Sequence, residues 1–146
     1  MFRPAGKRTG GPGRRPPSKG AGGGQAGSQK RDLGRLGEEA AAAYLAEKGY
    51  VILARNFRCR LGEIDIVARQ GRTVAFVEVR TRTTDAFGLP EESIDARKRA
   101  RLKRLAAYYL YIHGLSEVDC RFDVVAITAD PTGKVRRIEL LADAFY

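Results

Sequence analysis

The chain predicts an α/β domain: a mixed sheet with helices on its faces, in the order α-β-β-β-α-β plus an extra C-terminal edge strand. Three observations point to it. Helical and strand-like periodicities alternate along the chain. Three strand patterns follow one another through short connections, as in a meander. A long helical pattern then separates the third strand from the fourth, as a crossover connection requires.

The elements follow in order. From Asp32, an N-cap residue type, residues 33–48 read as a helix, with Leu33, Leu36, Ala40, Ala43 and Tyr44 at helical spacing and Gly49 placed to end it. Tyr50 to Arg58 alternates apolar residues as a first strand. Gly62–Val67 and Val74–Arg80 flank Gln70-Gly71 and form a hairpin. Residues 85–92, with Gly88 and Pro90, are an irregular connection. Residues 94–113 form the second helix, ended by Gly114. Arg121–Thr128 is a fourth strand, dense in Phe, Val and Ile. Asp130-Pro131-Thr132-Gly133 makes a turn, and Val135–Leu141 is the fifth, edge strand.

The hairpin is the most informative stretch, because both apolar strands carry acids that are costly to bury unpaired. The strand period of two puts Val74, Phe76, Glu78 and Arg80 on one face. A two-residue loop (70–71) sets Glu63 opposite Glu78, and a four-residue loop (70–73) sets Asp65 there. Either even length brings Glu63, Asp65, Glu78 and Arg80 to one face; a three-residue loop divides them. Opposite side chains start about 4.5–5.5 Å apart and diagonal ones about 7–8 Å, so two carboxylates can share a hard cation. The plainer reading is a Glu78–Arg80 ion pair on a half-exposed strand, which adds little stability.

With 146 residues the chain fits one domain with a real core. Residues 1–30 stand apart: they hold nine of the 17 glycines, four of the six prolines and seven of the 27 basic residues, with no acid. Such a segment cannot bury enough apolar surface to offset its ordering entropy, and it reads as a disordered tail before a domain at 31–146. That domain holds 20 basic and 17 acidic residues, so the tail supplies most of the net charge of +10. A basic Gly-rich tail suits attraction to polyanions such as nucleic acid, or serves as a solubilising extension. Arg14-Arg15 is followed by no apolar stretch, which argues against an export signal. No run approaches the ~20 apolar residues of a membrane span, so no membrane partner is expected. Cys59 and Cys120, without CxxC spacing, suit a reducing cytoplasm. A single histidine, His113, leaves zinc sites and histidine-based nucleophilic catalysis poorly supported.

Gly34-x-x-Gly37-Glu38 opening a helix, Asn56, Gly62-Glu63-Ile64-Asp65, Phe76-Val77-Glu78-Val79-Arg80, Lys98-Arg99 and Arg121-Phe122-Asp123-Val124-Val125 occur in this order. In these motifs the chain resembles the YraN-type uncharacterised bacterial proteins, over roughly residues 31–146. The resemblance implies a restriction-endonuclease-like fold related to Holliday-junction resolvases. It further implies a Mg²⁺- or Mn²⁺-dependent nuclease acting on DNA, branched or repair intermediates included. Carried over residue by residue, Glu38 is the helix acid and Asp65 and Glu78 the strand ligands of the metal, with the Val79 carbonyl available to complete the site. Arg80 stands where a lysine is usual and would contact the scissile phosphate. A hard ion takes carboxylate oxygens and lowers the pKa of a bound water, so no histidine is needed. By position alone, Glu38 reads more readily as a residue favoured by the helix dipole, and it is the motif match that favours the metal role.

Arginine keeps its proton and cannot act as a general base, so Arg80 also fits a noncatalytic nucleic-acid-binding module that retains the nuclease fold. Lys98 shares the core-facing stripe Lys98, Leu102, Leu105, Tyr109 and could replace the missing lysine, though it reads more readily as extending to solvent. Arg97, Arg101 and Arg104, continued by Tyr108, form a second stripe with no acid between Asp95 and Glu117; with Lys98 they are the candidate nucleic-acid contacts. Tyr108, Tyr109 and Tyr111 read mostly as packing. Nucleases of this fold often dimerise so that two strands are cut, which makes a homodimer a second expected partner. An adaptor whose basic tail docks on an assembly is a third reading.

Overall fold

The computed structural model describes residues 25–84, 95–115 and 117–145. Its elements are α1 (Gln25–Glu47), β1 (Val51–Cys59), β2 (Gly62–Gln70), β3 (Thr73–Thr83), α2 (Ala96–Ile112), β4 (Asp119–Ala129) and β5 (Val135–Phe145). One five-stranded sheet runs β1-β2-β3-β4-β5. All neighbours are antiparallel except β3 and β4, which α2 links as a parallel pair. This is the mixed α-β-β-β-α-β sheet with a C-terminal edge strand that the alternation of periods predicts.

The start of the first helix differs from expectation. Helix α1 begins at Gln25, so Asp32 lies inside it instead of capping it. Once a helix exists, each added residue gains a hydrogen bond for one residue fixed, and Gln, Lys and Arg are good helix formers. The tail expected over 1–30 therefore ends in helix from Gln25, and residues 1–24 lie outside the described residues, as does the connection at 85–92. At its other end α1 stops as expected: Gly49 adopts φ +88°, and the Tyr50 amide donates to the Leu45 carbonyl at 3.0 Å.

Both faces of the sheet are buried. On one, Ala41 and Leu45 of α1 pack over Ile66, Ala68, Ala75, Val77, Val125 and Ile127. On the other, Leu102, Leu105, Ala106 and Tyr109 of α2 cover Ile64, Val67, Val74, Phe76 and Val124. Strand β3 thus alternates Val74 and Phe76 toward α2 with Ala75 and Val77 toward α1, and reads as a continuous apolar run because both sides are dry. Tyr109 meets Phe57 and Phe76 edge-on, with ring centroids 5.1 and 5.8 Å apart.

The α1 face is lined by smaller side chains, and the helix approaches closely. A Cβ on Gly37 would stand 1.8 Å from Thr81 Oγ1, so nothing larger than glycine fits there without movement. A bulge between Ile52 and Ala54 reverses the alternation of β1. As a result Ile52 packs on the α1 side and Ala54 on the α2 side.

Candidate functional site: a carboxylate cavity where two strands part

Strands β2 and β3 pair only from Ile66↔Val77 to Gln70↔Thr73, around a two-residue turn at Gly71-Arg72. The loop length is even, one of the alternatives that the sequence leaves open, and its register is that of the four-residue case. Carried one pair further, this register sets Asp65, not Glu63, level with Glu78. The pairing stops there instead. Ile64 packs toward α2 and Ile66 toward α1, although a regular strand keeps such residues on one side, so β2 twists about Asp65. Neighbouring Asn56 of β1 has φ +54°, a rare value for a residue with a side chain. The Val79 amide donates to Asp65 Oδ2 at 2.8 Å, in place of a ladder bond.

The gap gathers acids from three elements. Carboxylate oxygens of Glu38 (α1), Glu63 and Asp65 (β2) all lie within 4.8 Å of one another. With its amide nitrogen turned toward them, Asn56 donates to Glu38 Oε2 at 3.2 Å and Glu63 Oε1 at 3.0 Å. Burial, first, then the nearby Glu78 carboxylate push the Asp65 carboxyl up to about 7. The Val79 N–H opposes the rise, and Glu38 and Glu63 add to it. Burial and the surrounding carboxylates thus favour the neutral form of Asp65.

Glu78, 8% exposed, faces the same gap from β3 but is engaged otherwise. Its Oε1 lies 2.6 Å from Lys98 Nζ and 3.5 Å from Arg80 Nε. A cavity of about 220 Å³ opens here, lined by Glu63, Asp65, Glu78, Lys98, Arg101 and Leu102.

The expected ligand trio is therefore partly reassembled. Glu38 and Asp65 come together as predicted, and Glu78 stands beside them as the partner of Lys98 and Arg80. The third close carboxylate is Glu63, whose signal was its place two residues before Asp65 on the strand face that the even loop defines. The Glu78–Arg80 ion pair of the plainer reading is present as well. Lys98 differs from expectation: its ammonium turns into the cavity, because Asp95 caps α2 through the Lys98 amide at 2.9 Å and fixes that first turn beside β3. A compact ammonium accordingly occupies the site despite the arginine at position 80. Arg97, Arg101 and Arg104 remain exposed along α2, with Arg101 reaching the cavity rim.

Asp123 lies elsewhere. Fully buried, it accepts from Arg121 Nε at 3.1 Å on both oxygens and from the Asp143 amide at 2.8 Å. Arg121 Nη2 also reaches Gln70 Oε1 at 2.7 Å and the Tyr50 hydroxyl. This network ties β4 to β5, β2 and the start of β1. Cys59 and Cys120 are both free thiols, and no helix among the described residues is long and apolar enough to cross a membrane.

A mixed five-stranded sheet with a helix on each face, and an acid-lined cavity where two central strands separate, defines the class of protein. The chain belongs to a family described as the uncharacterised protein family UPF0102, the YraN family, whose model matches residues 37–127. It is 57% identical over 116 residues to a UPF0102 protein of Moorella thermoacetica, covering 80% of this chain and 97% of the relative. A relative from Pelotomaculum thermopropionicum is 52% identical over 113 residues, covering 77% and 94%. One from Syntrophus aciditrophicus is 48% identical over 118 residues, covering 81% and 91%. The resemblance read from the motifs is thus a family membership.

Proposed function

We propose that the protein is a metal-dependent nuclease acting on DNA, with the cavity between β2 and β3 as its active site. The observation that carries this reading is the convergence of Glu38, Glu63 and Asp65 within 4.8 Å, beside the Lys98–Glu78 pair. The donor set is all oxygen, which suits a hard ion such as Mg²⁺ or Mn²⁺ and not zinc. Three carboxylates this close repel one another, a repulsion that a bound cation would relieve.

In this reading Glu38, Glu63 and Asp65 hold the ion, with Asn56 fixing two of the carboxylates. A bound Mg²⁺ neutralises phosphate charge and lowers the pKa of a water. The chain's own groups do the rest. Val79 orients Asp65 through its backbone amide. Glu78 anchors Lys98, whose ammonium takes a phosphate oxygen and stabilises the charge that builds as water attacks phosphorus. The phosphorus–oxygen bond to the leaving sugar breaks, and the water's protons end on the leaving oxygen and on solvent. Arg80 pairs with the same Glu78 oxygen as Lys98 and acts through it.

A test combines cleavage and calorimetry. Labelled duplex, single-stranded, flap and four-way-junction DNAs are incubated with Mg²⁺, Mn²⁺ or EDTA. Cutting that requires metal, disappears in Asp65→Ala and Lys98→Ala and survives in Arg80→Lys is the expected result. Mn²⁺ binding that is equal in the parent, Glu63→Ala and Asp65→Ala would refute the metal site. The second reading, a noncatalytic nucleic-acid-binding module, is favoured by the exposed Arg97, Arg101 and Arg104, which need no metal. Tight, metal-independent binding without cutting by any variant would select it.

A further inference from the structure

Arg97, Arg101, Arg104, Tyr108 and Tyr111 recur along α2 at i, i+4, i+7, i+11 and i+14. At 3.6 residues per turn they fall in one sector about 80° wide. The core stripe is a different one, made by Leu102, Leu105, Ala106 and Tyr109. Of the three tyrosines read as packing, only Tyr109 is buried; Tyr108 is 40% and Tyr111 83% exposed. Tyr108 is braced beneath by Phe57, ring centroids 6.4 Å apart, which holds its position while leaving it open to solvent.

The sector is continuous with the cavity. Arg101 lines the cavity, and Tyr111 lies ten residues on, roughly 15 Å along the helix axis. No acid interrupts the helix between Asp95 and Glu117. A merely solvated helix face has no need of this order, cations nearest the carboxylates and aromatic rings beyond them. Phosphates are attracted by guanidinium groups irrespective of sequence. Bases stack on aromatic rings only when their own faces are free, which a continuous duplex does not offer and an unpaired strand does.

We propose that this sector is a stacking platform for the unpaired bases of a DNA strand whose phosphates lie along Arg97, Arg101 and Arg104. Where the strand leads rests on the nuclease reading; the stacking itself does not. Substrates with a single-stranded or splayed segment are then preferred over continuous duplex, and Tyr108 and Tyr111 are the residues that set the preference.

The experiment uses the full chain in EDTA, where no cleavage occurs. A single-stranded DNA carrying 2-aminopurine and a blunt duplex of equal length are titrated at fixed salt. The parent should quench 2-aminopurine and bind the single strand more tightly than the duplex. Joint Tyr108→Ala and Tyr111→Ala substitution should remove the quenching and weaken single-strand binding about tenfold or more, leaving duplex binding unchanged. The corresponding Phe pair should keep both, and Arg101→Ala should weaken both DNAs. Quenching by the alanine pair at the parent's level overturns the platform, as does an equal loss for the two DNAs. Lack of metal-dependent cutting with quenching intact removes the nuclease reading and leaves the platform standing. Cutting by a parent that quenches nothing does the reverse.

Discussion

Asp65 carries more of the site than any other residue, because burial and three neighbouring carboxylates act on it together. In metal-free protein burial and the nearby carboxylates hold its carboxyl up to about 7, against an ordinary value of 3.8 in the unfolded chain. A raised folded-state value favours folding most at low pH, and this contribution is lost as pH rises from about 4 to about 7. Asp65→Asn should flatten that part of a stability–pH curve measured by urea unfolding in EDTA. An unchanged slope would show that Asp65 titrates normally. At Asp123 the expectation is one of stability. Its removal leaves Arg121 half-buried beside Tyr50 without a carboxylate, and Asp123→Ala should cost about 3–5 kcal/mol by chemical denaturation. Asp123→Asn, which keeps the shape and an acceptor, should cost less.

At the scale of elements, the first turn of α2 couples folding to the site. Asp95 accepts from the Lys98 amide, so Asp95→Ala should lower stability by about 1 kcal/mol and also loosen Lys98. Thermal unfolding reads the first effect, and a larger fractional loss of cleavage than of stability reads the second. The β4–β5 turn is held by Asp130. Its contacts with Thr132, then the Lys134 amide and Arg136, lower its carboxyl to about 2. A lowered value stabilises above the unfolded pKa near 3.8 and loses that effect as pH falls through about 2. Much at this scale was legible in the sequence. Apolar periodicity located each helix and strand among the described residues, and an even hairpin loop, one of the lengths the sequence leaves open, puts Glu63, Asp65 and Glu78 on one side. The parting of β2 from β3 was not legible, because alternation reports which face a residue occupies and is silent on where a ladder ends. The same limit hid the bulge at Leu53. Lys98 was read as extending to solvent because helix position alone cannot show that Glu78 waits across the gap.

For the whole molecule, the two buried faces divide the labour. The α1 face brings Glu38 to the Glu63 and Asp65 carboxylates, and the α2 face brings Lys98 and the arginine–tyrosine sector. Residues 31–146 carry 20 basic against 17 acidic residues, so on the DNA-binding reading long-range attraction falls largely to the seven basic residues of 1–30. Removing residues 1–24 deletes six of these cations. That should weaken DNA binding at low salt and flatten its dependence on salt, while metal binding by calorimetry stays as in the parent. An unaltered salt slope would assign the electrostatics to α2 alone.

On the metal-site reading, the close approach at Gly37 bears on the radius of the ion that would bind. Glu38 follows directly on the glycine whose missing methyl lets α1 rest against Thr81. The depth to which that carboxylate reaches is thereby gauged by a helix that cannot move inward and, packed on Ala68 and Ala75, has little reason to move out. A rigid gauge favours an ion that demands short, regular bonds of about 2.0–2.1 Å over one that tolerates about 2.3–2.6 Å. Gly37→Ala lifts the gauge by the width of one methyl group. Its signature is a shift of relative affinity from Mg²⁺ toward Ca²⁺, the two ions competing for the same three carboxylates.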